Sequence, residues 1–125
     1  MKAWIGAVAL IGTLASGAAI AVDQTGTGND FLVQCQNTIK GMDSGDYKHQ
    51  GDVGMCFGTV SAVMNMAVFY NSAVKKDIRI CMPENINTGQ ATRIVVKFLQ
   101  DRPELLNQER SVLTWMALIK SYPCN

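Results

Sequence analysis

The chain has 125 residues, 48% of them apolar and 17% charged, which is too apolar for a disordered protein and fits one domain. Lys and Arg number 11 against 10 Asp and Glu, so the basic excess needed to neutralise phosphates is missing and nucleic-acid binding is disfavoured. Four cysteines and one histidine complete the reactive set.

Residues 1–21 read as an export signal. Met1-Lys2 is a short basic start, Ala3 to Leu14 runs uncharged, and Ala15 to Ala21 is rich in small residues. Ala19-x-Ala21 is a suitable cleavage sequence, followed at once by polar Val22-Asp23-Gln24. The alternative is a retained anchor, because residues 3–22 carry no charge and about 20 such residues span a bilayer. Gly6, Gly12, Thr13, Ser16 and Gly17 weaken that stretch, and no basic stop signal follows it. Residues 22–125 are then expected to form a single domain in an oxidising compartment.

Residues 29–40 are predicted to form a first helix, capped by Asn29 or Asp30, with Phe31, Leu32, Cys35 and Ile39 on one face. Gly41 and Gly45 are expected to end it in a polar loop from Gly41 to Gly51. A second helix is predicted from near Asp52 to about Tyr70. Cys56, Val60, Val63 and Ala67 make one of its stripes, Ala62, Met66 and Phe69 another, and only Gly58, Ser61 and Asn65 form a polar strip. A helix apolar nearly all round is either central to its bundle or covered by a second copy of the chain along a seam that uses Met66 and Phe69.

Residues 71–87 are irregular. Lys75-Lys76-Asp77 reads as a solvated turn, Ile78-Arg79-Ile80 as a very short strand, and Met82 to Asn85 as a turn. Thr88 is the expected cap of a third helix with Ala91, Ile94, Val95, Phe98 and Leu99 inside. Pro103 interrupts the chain, and Asn107 is the expected cap of a fourth helix carrying Val112, Trp115, Met116, Ile119 and Tyr122.

Export makes disulfides the default reading of Cys35, Cys56, Cys81 and Cys124, since no C-x-x-C occurs and the lone His49 cannot complete a zinc site. Antiparallel helical hairpins bring Cys35 level with Cys56 and Cys81 level with Cys124, which selects one of the three connectivities. The predicted fold is therefore all-α: a small disulfide-bonded bundle of about four helices in two antiparallel hairpins. Each bridge is worth about 3–4 kcal/mol on a loop-entropy estimate.

Catalytic patterns are missing. Paired cysteines leave no thiol, and Ser61, Ser111 and Ser121 lie in no G-x-S-x-G context. His49 has no orienting partner in the sequence, and Asp43 with Asp46 fits a solvated turn better than acid–base work. No phosphate loop or dinucleotide fingerprint occurs, and no cofactor or metal is expected.

The second half carries an ordered series: Cys81-Met82-Pro83, Ile86-Asn87-Thr88-Gly89-Gln90, Val95-Val96-Lys97-Phe98-Leu99, Arg102-Pro103-Glu104, Ser111-Val112-Leu113 and Tyr122-Pro123-Cys124. Upstream, Cys56-Phe57-Gly58-Thr59-Val60-Ser61-Ala62 resembles a C-x-G-x-x-x-G segment, with Ala62 where glycine is common. Together with Cys35, the series resembles the Tai/Rap family of periplasmic immunity proteins, which protect bacteria against type VI secretion effectors, notably peptidoglycan amidases. The resemblance covers roughly residues 29–124. It implies an all-helical, commonly dimeric domain that sits in the periplasm of a Gram-negative cell and occludes the active site of a cognate toxic enzyme. It does not carry over the contact residues.

From composition, the partner-binding candidates are Asp43, Ser44, Asp46, Tyr47 and His49, an exposed aromatic among acidic residues. A second patch is Lys75, Lys76 and Arg79. The competing readings are a periplasmic acid-stress chaperone with an exposed apolar dimer seam, and an enzyme whose site escapes these patterns.

Overall fold

The structure, a computed structural model, describes residues 26–125, so the export segment expected at 1–21 lies outside the described residues. Four helices build the domain: α1 over Gly28–Ser44, α2 over Gln50–Tyr70, α3 over Thr88–Asp101 and α4 over Arg110–Ser121. Short 3-10 turns at Lys76–Ile78 and Pro103–Leu105 lie in the two connections that flank α3. No strand occurs among the described residues. The domain is the expected small all-α bundle of two helical hairpins.

The first helix is longer than predicted. It runs through Gly41 and stops at Gly45, whose φ of 74° is the left-handed conformation that favours glycine at a helix end. Gly41 stays helical because the Tyr47 ring lies directly over it, where a Cβ would collide with that ring. Packing thus offsets the cost of about 1 kcal/mol for glycine inside a helix. At the other end neither Asn29 nor Asp30 is the cap, and Thr27 precedes the helix. The amides of Gly28 and Asn29 donate to the carbonyls of Gln108 and Leu106, at 2.9 and 3.0 Å. These bonds satisfy two of the free N–H groups of a helix start. Gly28 allows this approach, since a Cβ there would collide with Leu113 Cδ1 and stand 3.0 Å from the Leu106 backbone.

In α2 the buried stripe is Cys56, Val60, Val63 and Ala67, as expected. By length and composition alone α2 would cross a membrane, yet this stripe sits in the core of the bundle and α2 packs against all three other helices. Met64 packs at the margin of the core, and Met55, Met66, Val68, Phe69 and Tyr70 are exposed.

Caps in the second hairpin lie one or two residues from their predicted places. Asn87, not Thr88, caps α3, its side chain accepting from Gln90 N at 2.8 Å. Glu109, not Asn107, caps α4, accepting from the amides of Ser111 and Val112. The predicted inner face of α3 is buried except for partly buried Ile94, and Thr92 and Val96 join it.

In α4 the rotation differs from the prediction. Leu113, Thr114, Ala117 and Leu118 point inward, Val112 is exposed, and Trp115, Met116, Ile119 and Tyr122 lie at the margin. Thr114 can be buried because its hydroxyl donates to Arg110 O at 2.8 Å. The same bond to the carbonyl four residues back buries Thr38 and Thr92. Trp115 stays at the margin, where its indole N–H reaches Ile78 O at 2.9 Å.

No strand forms over Ile78–Ile80. Ile80 alone makes an isolated antiparallel bridge, to Pro123, and is buried. The Asn71 side chain accepts from Ile80 N and donates to Ile80 O, at 3.1 and 2.8 Å, doing the work of a neighbouring strand.

Cys35 is bonded to Cys56 and Cys81 to Cys124, each pair with a Cα separation of 5.1 Å. The two bridges differ in setting. Cys35 and Cys56 are fully buried in the core, whereas Cys81 is exposed and Cys124 half-buried. Mild reductant should therefore open Cys81–Cys124 well before Cys35–Cys56, as read by alkylation and peptide mapping over time. Equal rates would contradict the burial difference. Gly28→Ala should lower stability by about 1–3 kcal/mol through overpacking, seen as a lower urea midpoint with an unchanged slope.

Candidate functional site

The first candidate cluster forms at the corner between α1 and α2. Asp43 and Ser44 belong to the last turn of α1, not to a loop, and the connector is only Gly45 to His49. Asp43, Ser44, Asp46 and His49 line a hollow of about 520 Å³ together with Asn37, Lys40 and Lys48. The structure therefore brings four of the five predicted residues together, with Tyr47 on the adjoining surface.

Their roles diverge. Asp43 takes a salt bridge from Arg93 of α3, which ties the corner to the second hairpin. Ser44 Oγ donates to Lys40 O at 2.8 Å and accepts from Asp46 N at 3.1 Å, a local turn that fixes the connector. Asn37 donates to Asp52 at 2.7 Å and clamps α1 to α2 beneath it. The Asp46 carboxylate pairs with the exposed Lys48, at 3.8 Å. Tyr47 keeps one side of its ring on Gly41 and is 40% exposed. The corner thus presents a seated aromatic ring, a carboxylate and an imidazole on a backbone held by internal bonds.

The second candidate patch is elsewhere. Lys75 and Lys76 are exposed around the 3-10 turn after α2, and Arg79 Nε donates to Val74 O at 3.0 Å. None of the three has an ionic partner among the described residues. The two patches lie at opposite ends of α2, whose 21 residues extend about 30 Å at 1.5 Å per residue. One copy of the chain does not join them.

A third feature escapes sequence reading. Between α2 and α4 runs an open apolar groove of about 650 Å³, lined by Met55, Ala62, Met66, Tyr70, Val112 and Trp115 among others. Tyr70 and Trp115 meet edge to face, with ring centroids 6.5 Å apart. Met66 lines this groove and Phe69 projects beside it, 72% exposed. Val112 and Trp115 belong here because α4 is rotated away from its predicted phase. The signal in the sequence was the apolar excess of α2, but its other wall comes from residues expected inside.

Electrostatically the surface is plain. A hydrogen bond from Arg102 holds the Glu104 carboxyl below the usual carboxylate range, in the α3–α4 connection away from the corner. No group of three or more metal-ligating side chains occurs among the described residues. All four cysteines are bonded, so no thiol is available as a nucleophile or ligand.

These features define a small, doubly crosslinked helical domain that carries a polar corner, a basic turn and an open apolar groove on its surface. The family of Rap1a immunity proteins matches residues 27–124, essentially everything described, and the chain belongs to that family. No curated protein and no solved structure matches it.

Seating of Tyr47 on Gly41 is directly measurable. Tyr47→Ala should cost about 1 kcal/mol of stability and abolish the ring-current shift of the Gly41 α protons in the NMR spectrum. An unchanged shift would show that the ring does not rest there.

Proposed function

We propose that the protein is a periplasmic immunity protein that binds a cognate type VI secretion effector, a peptidoglycan amidase, and blocks its active site. The observation that carries this reading is the family match, which spans the domain from one side of its first helix to its last cysteine. Membership of an immunity family implies a non-enzymatic role and a secreted effector as partner. The amidase, the periplasm and the cleaved signal at residues 1–21 come from the sequence series and the N-terminal pattern set out above. Two disulfides suit an oxidising compartment.

Obstruction asks for rigidity, because a preorganised surface loses little entropy on docking. The corner between α1 and α2 supplies it: Gly45, Ser44, Asn37 and the Asp43–Arg93 pair hold the connector, and Tyr47 and Asp46 are presented from it. An aromatic flanked by a carboxylate has the composition of an interface anchor. This corner is the proposed effector-binding face, and Lys75, Lys76 and Arg79 form the secondary one. The exposed Met66 and Phe69 are assigned to a seam between two copies of the chain.

The test is inhibition of the effector encoded beside this gene, followed as amide-bond cleavage in purified peptidoglycan. Stoichiometric inhibition is expected. Tyr47→Ala combined with Asp46→Lys should raise the inhibition constant about 30-fold, the loss of roughly 2 kcal/mol typical of an anchor. Lys76→Glu should change it less than the corner variant. No inhibition by the folded wild-type protein would overturn the assignment.

A further inference from the structure

A disulfide exchanges when a thiolate attacks one of its sulfurs directly, so access to the bridge governs whether exchange occurs. Cys35 and Cys56 have no exposed surface and lie within the core between α1 and α2. Cys81 is exposed, Cys124 is half-buried, and neither is among the buried core residues. Accessible bridges are the labile and regulatory kind, whereas enclosed ones resist reduction. Only the outer bridge of this domain is open to attack.

The backbone on both sides of that bridge is held by bonds that use no sulfur. Ile80, next to Cys81, is 1% exposed, and the Asn71 side chain bonds both its amide and its carbonyl. The Trp115 indole holds Ile78 O from α4. On the other side, Tyr122 N donates to Leu118 O at 2.8 Å and closes the end of α4, two residues before Cys124. The bond from Cys81 N to Tyr122 O and the bridge between Ile80 and Pro123 join the two sides directly. Two thiols released here therefore stay beside each other. Their re-closure is intramolecular, at a high effective concentration, and outruns pairing with thiols in solution. The enclosed Cys35–Cys56 bond offers them no competing partner.

We infer that Cys81–Cys124 is a reversible thiol-exchange site, with a dithiol as its co-reactant, which opens and closes without unfolding the domain. A thiolate of the dithiol attacks Sγ of Cys81, the more exposed residue of the pair. The bond between the two sulfurs breaks, and Cys124 leaves as a thiolate that takes up a proton. The second thiol of the dithiol then attacks the mixed disulfide and releases Cys81, which is protonated in turn. The bridge gains two electrons and two protons, and the dithiol loses them as it becomes a disulfide. Opening removes the covalent tie between the end of α4 and the stretch from Cys81 to Asn87, the cap of α3. That stretch loosens at the end of the molecule that carries Lys75, Lys76 and Arg79. The corner lies at the far end of α2, beside the enclosed bridge, and is unaffected. The exchange is a property of the free chain, whichever effector it binds.

The test uses the purified, folded protein with both bridges formed, treated with dithiothreitol and quenched with iodoacetamide. Peptide mapping should find a species alkylated at Cys81 and Cys124 with Cys35–Cys56 intact, and its far-UV spectrum should match that of the oxidised protein. In that species the Cys81 amide should exchange with deuterium about tenfold faster or more, while the Gly45 amide at the corner keeps its rate. With glutathione, a monothiol, in place of dithiothreitol, the trapped mixed disulfide should lie on Cys81 rather than Cys124. Oxidised glutathione added to the open, unalkylated form should restore Cys81–Cys124 alone. Loss of the helical spectrum on opening would make the bridge a structural one and overturn the inference. Joint opening of the two bridges, an unchanged rate at the Cys81 amide, a mixed disulfide on Cys124, or re-formation with other pairings would overturn it as well.

Discussion

The buried bond between Cys35 and Cys56 is the constraint from which the rest of the structure follows. An amphipathic helix finds its own rotation by burying its apolar side, but α2 is apolar nearly all round and has no such preference. The crosslink supplies what the hydrophobic pattern lacks. It fixes the level of α2 against α1 and turns Cys56, Val60, Val63 and Ala67 into the core. Val68 and Phe69 are left largely exposed, so apolar character alone does not decide which side of α2 faces inward. The bond to Cys35 makes that choice by covalent geometry, since the two Cα atoms must stand within bridging distance. The outward face of α2, glycines and large apolar residues together, is a consequence of that choice.

The outer bridge has a different task. Cys81 and Cys124 bracket the second hairpin near its open end, where Ile80 pairs with Pro123 and Cys81 N donates to Tyr122 O at 2.8 Å. Asn71 completes the hydrogen bonding of Ile80 from the end of α2. The irregular segment after α2 is thus tied both to α2 and to the C-terminal residues. It holds Lys75 and Lys76 on a defined turn without a sheet.

Fold class, helix number and the pairing of hairpins were legible because they depend on quantities a sequence carries openly: the 3.6-residue period, glycine and proline punctuation, and cysteine positions relative to helix ends. What was not legible depended on contacts between distant residues. Gly41 reads as a helix end until the Tyr47 ring is known to lie on it. The rotation of α4 was misread because Thr114 looks polar and Trp115 looks like core. The backbone carbonyl of Arg110 removes the first objection, and the indole N–H, which needs Ile78 O, reverses the second. The corner residues could be listed from composition alone. Their division into a scaffold of Asp43 and Ser44 and a presented pair of Asp46 and Tyr47 could not, because it depends on Arg93, 50 residues away.

The position of the two candidate patches gives α2 a role beyond packing. They stand at opposite ends of a rigid helix, about 30 Å apart, too far to grip one small feature of a partner. On the proposed reading their tasks divide accordingly. The corner, with its aromatic ring held over Gly41 and its backbone fixed by internal bonds, suits the docked contact, where preorganisation limits the entropy lost. The basic turn carries charge without such a seat, and complementary charge mainly sets approach and selectivity.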